Sequence, residues 1–309
     1  MAGLPDIAKA TIAREPARLS WVGMKGIKIP MSIVDKNLGE QKIQASIDCS
    51  VDLNDPRKRG IHMSRMYLSV TAISKLAGVD YATLKKLSND LIKAQGGCST
   101  SSLVSISFEL FISRQSLLSD NQGWASYPVK ITLQNKKGKV KCQMDIQVLY
   151  SSTCPCSAAL ARQLISQRFA KYFSALTPGI APNIESVQDW LMEEEKLMAT
   201  PHSQRSIAYI SLVFDSIRGK KFPIQAMIDR AEETIKTPVQ TVVKREDEQA
   251  FASINGENLM FCEDSVRILL DGFENVDKTA ISIKVHHMES LHAHDATAEI
   301  TQGDLILPT

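Results

Sequence analysis

Two cysteines flank a proline at Cys154-Pro155-Cys156, directly after an apolar run from Ile146 to Tyr150. A thiolate binds metal ions or attacks electrophiles, so this turn is a candidate reaction centre. Alternate side chains of an extended chain share a face. Cys154 and Cys156 can therefore point the same way, although the proline between them can splay them. One is expected to act as ligand or nucleophile and the other as support. The six histidines keep company with other reactive residue types. His62 lies beside Arg57-Lys58-Arg59 and Arg65, and His202 lies in Pro201-His202-Ser203-Gln204-Arg205-Ser206, just before a strand-like run. His286, His287, His292 and His294 fall within nine residues, with Glu289 among them. On a strand His292 and His294 share a face; in a turn Glu289 and His292 can share one. A catalytic zinc takes three protein ligands and keeps a position for water. Cysteine, histidine and a carboxylate would make a mixed site of that kind. Neither a His-Glu-x-x-His helix signature nor a glycine-rich phosphate loop is present. Any grip on phosphate must come from cations, and the basic cluster at residues 57–65 fits either that role or a solvated turn.

A chain of 309 residues holds one large or two ordinary domains. With 44% hydrophobic and 23% charged residues it reads as soluble and globular. A net charge of +2 predicts no general binding to nucleic acid. No run approaches the roughly 18 apolar residues of a membrane span, and Met1 to Arg18 lacks a secretory core. The six cysteines (49, 98, 142, 154, 156 and 262) are scattered. That pattern implies free thiols in a reducing cytoplasm, with Cys49, Cys98, Cys142 and Cys262 as buried hydrophobes.

These residues need elements to position them. Residues 1–40 read as an irregular arm in which Val22 to Pro30 adds an edge strand. Lys42 to Leu53 alternates with period two and predicts a half-buried strand. Helical spacing follows from His62 to Ala77, closed by Gly78, and from Asp80 to Ala94. Strands are expected at Leu103 to Ile112, Trp124 to Leu133 and Lys139 to Tyr150, with a hairpin turn at Asn135 to Gly138. Beyond the Cys-Pro-Cys turn the texture is helical from Ala158 to Leu176. It is broken by proline and glycine from Thr177 to Asn183, then helical and acidic from Ile184 to Leu197. A strand (Ser206 to Ile217), two helices (Ile224 to Ile235, Asn258 to Phe273) and two strands (Thr279 to Met288, Ala296 to Ile300) complete the chain. The fold class is α+β, an antiparallel sheet with paired helices on one face. The halves share element order without sequence repetition.

Arg59 to Arg65 (RGIHMSR), Ser152 to Ser157 (STCPCS), His202 to Ser206 (HSQRS) and Glu289 to His294 (ESLHAH) occur in this order. Together they resemble the type IB GTP cyclohydrolase I family, from about residue 20 onward. The resemblance implies a tunnelling fold of two tandem modules: an arm at 1–40, a first module at 41–156, a helical insertion at 157–200 and a second module at 201–309. It implies a homotetramer with active sites at subunit interfaces. The implied reaction converts GTP and water to formate and 7,8-dihydroneopterin triphosphate, the entry to tetrahydrofolate. Cys154, His202 and Glu248 resemble the metal ligands, and Glu263 the guanine anchor. Glu289 and His292 resemble the pair lining the metal site, with His292 as general acid oriented by Glu289. His62, Arg65 and Arg205 are candidates for the triphosphate. The cofactor is a divalent metal: zinc, manganese or iron. One departure stands out. The family motif can place the histidine about a dozen residues after the cysteine, whereas here residues 154 and 202 are 48 apart. The insertion is expected to return the chain to the same point. Two rivals remain at this stage. One is the tunnelling-fold nitrile reductase of queuosine biosynthesis, with a nucleophilic cysteine and NADPH. The other is a non-catalytic protein with a structural zinc.

Overall fold

The computed structural model describes residues 13–176, 181–193 and 199–306. Its centre is one antiparallel sheet of eight strands, each lying beside its neighbour in sequence. The strands are β1 (Leu19–Asp35), β2 (Gly39–Leu53), β3 (Ser101–Gln115), β4 (Gln122–Lys136), β5 (Lys139–Thr153), β6 (Ser203–Phe214), β7 (Ala280–His287) and β8 (Ala296–Gln302). Period-two patterning builds it: Ile43, Ala45, Ile47, Cys49, Val51 and Leu53 on β2, and Val104, Ile106, Phe108, Leu110 and Ile112 on β3, are all buried. One face of the sheet is thus an apolar wall, and the helices pack on it.

Helices α1 (Met63–Ala72, extended by a 3₁₀ turn at Ile73–Lys75) and α2 (Tyr81–Lys93) join β2 to β3. Asp80 caps α2, accepting the Thr83 N–H at 2.8 Å, and Leu84, Leu87 and Leu91 are buried. Helices α3 (Pro155–Leu176) and α4 (Ile184–Met192) lie between β5 and β6. Helices α5 (Ile224–Ile235), α6 (Arg245–Glu257) and α7 (Cys262–Gly272) lie between β6 and β7.

The order β1-β2-α1-α2-β3-β4 is matched by β5-β6-α5-α7-β7-β8, with α3, α4 and α6 added. The seam is the two-residue hairpin Lys137-Gly138, whose φ angles of 51° and 88° are the left-handed pair such a turn demands. The helical insertion therefore interrupts the second half. It does not separate the halves, as a division at 156 and 201 expects. Strand β5 pairs with β4 from Lys139 to Ile146 and with β6 from Cys142 to Thr153, so the sheet is continuous across the seam.

Other expectations shift in detail. The supposed arm contains the 17-residue edge strand β1, longer than the expected 22–30. Pro30 sits inside it opposite Gln44, because an edge strand tolerates a missing N–H that an inner strand does not. The helix expected from Asn258 begins at Cys262, after an extended approach in which Asp264 accepts the Phe261 N–H at 3.0 Å. Helix α4 is seen over Ile184–Met192, and the rest of the expected span, 194–198, lies outside the described residues, as do 177–180 of the breaker.

Helix α6 was not expected at all. Its only buried residue is Asp247, so it has almost no apolar stripe to read. A polar clamp holds it instead: the Asp247 carboxylate accepts the N–H groups of Leu118, Ser119 and Lys244 and the Ser119 hydroxyl. A second clamp, buried Asp35, accepts Asn37 and Leu38 N–H on one oxygen and Ile224 and Gln225 N–H on the other, tying the β1–β2 turn to the start of α5.

Candidate active site

The end of the sheet where β5 stops, β6 starts and β7 stops is where the reactive residues gather. Register decides which side chains meet. Directly opposed residues of an antiparallel pair share a face. Tyr150 opposes Ser206, and Ser152 opposes Gln204. His287 opposes Ser206 on the other side. One step on, the Cys154 N–H donates to the His202 carbonyl at 3.3 Å. Tyr150, Ser152, His202, Gln204, Ser206 and His287 therefore lie on one face, the helix-covered one, with Cys154 beside His202 where β5 ends. As the row nears the strand ends it changes from apolar to polar.

Cys154 accepts the Ala158 N–H on its carbonyl, so it stands at the start of α3, with Pro155 at the first helical position. Ser157 then receives the returning chain: its hydroxyl accepts the His202 N–H at 3.0 Å. The 48-residue excursion thus closes on itself and sets residues 154 and 202 beside each other in the backbone. Cys156 points elsewhere; it is exposed, and all six cysteines are free thiols.

Two acceptors face His202 Nδ1: Gln204 Oε1 at 3.1 Å and Glu289 Oε2 at 3.7 Å. Glu289 thus sits beside His202, where it was expected to orient His292. His292 is exposed on the β7–β8 connection, its ring stacked on His294 at 5.1 Å. His286 turns to the opposite face, against Tyr209. Glu263, exposed in the first turn of α7, accepts the Cys262 thiol at 3.3 Å. Its own backbone N–H and that thiol hold its carboxyl below the usual range, so it is a standing anion.

Glu248 and its neighbour Asp247 have separated roles. Asp247 is the buried clamp, while Glu248 is exposed on the first turn of α6. Glu248 is four and seven residues before Ala252 and Asn255, which share its helix face. Ala252 and Asn255 line an apolar hollow of about 470 Å³ together with Thr153, Ala158 and Ala161. Glu248 therefore projects from the face that looks toward the start of α3. It does not close on the cysteine and histidine: among the described residues no three His, Cys, Asp or Glu side chains form a metal cluster.

The expected phosphate cations are dispersed. His62 precedes α1 without capping it through its side chain, its backbone N–H donating to Gln95 Oε1 at 2.8 Å, and Arg65 Nη1 donates to the Ala94 carbonyl at 3.2 Å. Both belong to the α1–α2 pair of the first half. Arg205 is exposed and, one residue out of phase with Gln204 and Ser206, lies on the other face of β6.

Sequence reasoning missed the polar residues behind the site. Ser152, Gln204, Ser206, Ser265 and Tyr150 surround His287, which is 2% exposed. Tyr150 OH lies 2.9 Å and Ser265 Oγ 3.4 Å from His287 Nε2, and Ser152 Oγ lies 3.3 Å from Nδ1. Burial pushes His287 down to about 4, against the charge of Glu263, so it is neutral near pH 7. Only the register of β5, β6 and β7 brings them together.

A family model described as type I GTP cyclohydrolase FolE2 matches residues 4–298. The chain belongs to that family. A "GTP cyclohydrolase FolE2" of Pseudoalteromonas translucida is 41% identical over 300 residues, covering 97% of this chain and 98% of that protein. Those of Hydrogenovibrio crunogenus and Pseudomonas putida are 39% and 41% identical over 301 and 296 residues, each with 94% of the relative covered. With nearly all of each relative matched, the long connection from Cys154 to His202 falls inside the span shared with them. Among solved structures, a uricase from Arthrobacter globiformis aligns over 97% of this chain and 98% of its own, with 8% identity and a TM-score of 0.49. The chain is an enzyme of the FolE2 family, and none of its described helices is long and apolar enough to cross a membrane.

The donors present suit a divalent metal in part. Cys154 offers a free thiol. His202 has Nδ1 occupied by Gln204, which leaves Nε2 for a metal. A sulfur and an imidazole nitrogen suit zinc and also iron.

Proposed function

We propose that this chain hydrolyses GTP, with a divalent metal, to formate and 7,8-dihydroneopterin triphosphate, the first step toward tetrahydrofolate. The observation that carries the reading is the cross-strand meeting of Cys154 and His202, with Glu289 alongside, in a chain of the FolE2 family.

Cys154, His202 and Glu248 would hold the metal. Bound there, the ion would supply the Lewis acidity that makes water a nucleophile near neutral pH. The remaining work belongs to the chain. Glu263 accepts hydrogen bonds from the N–H edge of guanine, a role its depressed pKa suits. Glu289 holds charge beside His202. His292, on the connection that carries Glu289, delivers a proton to the departing ring nitrogen; a positioned acid is worth roughly 10²–10⁴ in rate. The α1–α2 surface with His62 and Arg65 belongs to the first half, so a neighbouring subunit would bring those cations to the triphosphate, with Arg205 at the rim. That arrangement favours a homotetramer of the tunnelling-fold kind, with sites between subunits. Free thiols throughout favour a reducing cytoplasm.

The test incubates purified protein with GTP and, separately, zinc, manganese or iron(II). Fluorescent neopterin after oxidation and dephosphorylation is the expected result. Intact GTP with every metal, in protein that is folded and metal-loaded, overturns the assignment.

A further inference from the structure

Behind Cys154 and His202 lies a buried hydrogen-bonded cluster around His287. Tyr150 OH meets His287 Nε2 at 2.9 Å. His287 Nδ1 meets Ser152 Oγ at 3.3 Å. Ser152 Oγ meets Ser206 Oγ at 2.8 Å, and Ser265 Oγ lies 3.4 Å from His287 Nε2. Ser152, Ser206, Ser265 and His287 are all buried, so these groups satisfy one another away from water.

Gln204 adds a fifth contact, its side-chain nitrogen lying 2.9 Å from Ser152 Oγ. The carboxamide NH₂ donates to Ser152, and its oxygen therefore faces His202. Oε1 lies 3.1 Å from His202 Nδ1 and can only accept. Nδ1 must then carry the proton.

We infer that Gln204 is a positioning residue that commits His202 to its Nδ1–H tautomer and presents Nε2 to the metal, with Ser152 of the His287 cluster holding the amide. This rests on the metal-centre reading above. It assigns the cluster a function: a buried polar network fixes a ligand's tautomer without entering the site. Glu289 Oε2, at 3.7 Å from the same Nδ1, is a longer second acceptor and does not compete.

The test measures Zn²⁺ affinity of the full-length protein by competition with a chromophoric chelator, and follows Co²⁺ by its thiolate charge-transfer band. Gln204→Leu keeps volume and removes the acceptor. It is expected to weaken Zn²⁺ binding 10–100-fold while the Co²⁺ band from Cys154 persists. Gln204→Glu restores an acceptor toward Nδ1 and is expected to recover affinity to within a few-fold of the parent. Parent-like affinity in Gln204→Leu, or a Gln204→Glu protein as weak as Gln204→Leu, overturns the inference. A parent protein that binds no Zn²⁺ overturns instead the metal reading on which it rests, so the two failures are told apart.

Discussion

Two polar clusters interrupt the core beneath the helices, and they end in opposite ways. At the end of β3 and β4, Arg114 meets Asp229 at 2.7 Å and Glu232 at 2.9 Å, both from α5. Its Nε donates to Tyr127 OH at 2.9 Å, and that hydroxyl donates to Glu232. Burial pushes the Tyr127 phenol and the Glu232 carboxyl up, against the pull of Arg114. One guanidinium serves two carboxylates, and the cluster seals α5 to the β3–β4 hairpin. At the end of β5, β6 and β7 the polar groups close only on the inner side, around His287. Their outer members, Cys154 and His202 Nε2, are left with donor atoms to offer. The difference teaches what separates a staple from a site in one fold: the groups of a staple are spent on one another, and those of a site keep atoms free to meet a ligand.

The comparison is broken most severely at the open cluster. Cys154→Ala should bring neopterin formation to background and lower bound metal. His292→Ala should keep the metal and lose roughly 10²–10⁴ in kcat. Metal analysis beside steady-state kinetics checks both, and a parent-like kcat in His292→Ala removes it as the acid.

Next in size is a pH effect from the inner side of that cluster. His287 is neutral when folded, with its pKa depressed to about 4, against about 6.5 when unfolded. Between those values the unfolded chain binds the extra proton, so stability is full above about pH 6.5 and declines toward pH 4. The drop attributable to this group is about 3 kcal/mol. Urea unfolding at several pH values should show it, and His287→Gln should flatten that stretch. The groups facing His287 are Tyr150, Ser152, Ser265 and the charge of Glu263. An identical slope in variant and parent would dismiss the buried-neutral histidine.

The smallest effect belongs to the closed cluster. Arg114→Met leaves Asp229 and Glu232 without their cation and should cost about 2 kcal/mol. That is less than for a fully buried pair, because the Arg114 side chain is 24% exposed. Metal affinity should not change. A variant that folds stably but loses metal would show that the two clusters are coupled.

Most of the sheet was legible because period-two alternation survives in every inner strand; Ile43 to Leu53 on β2 is the clearest case. Helix α6 was not, because a clamp at Asp247 replaces the apolar stripe that betrays most helices. Cys154 and His202 could be found from their motifs. Their supports could not: serine, glutamine and tyrosine in a strand are ordinary until register shows that Ser152, Gln204, Ser206 and His287 share a face. Adjacent acids hid a similar ambiguity. Asp247 and Glu248 look alike in sequence, and only the fold shows one as a buried clamp and the other as an exposed carboxylate facing α3.

The most direct test of the central claim is an anomalous-difference map at the zinc edge from crystals grown with Zn²⁺. The account predicts one peak per site, bonded to Cys154 Sγ and to His202 Nε2, with Nδ1 still turned to Gln204. A peak on Nδ1, or zinc bound elsewhere with Cys154 and His202 bare, would contradict it.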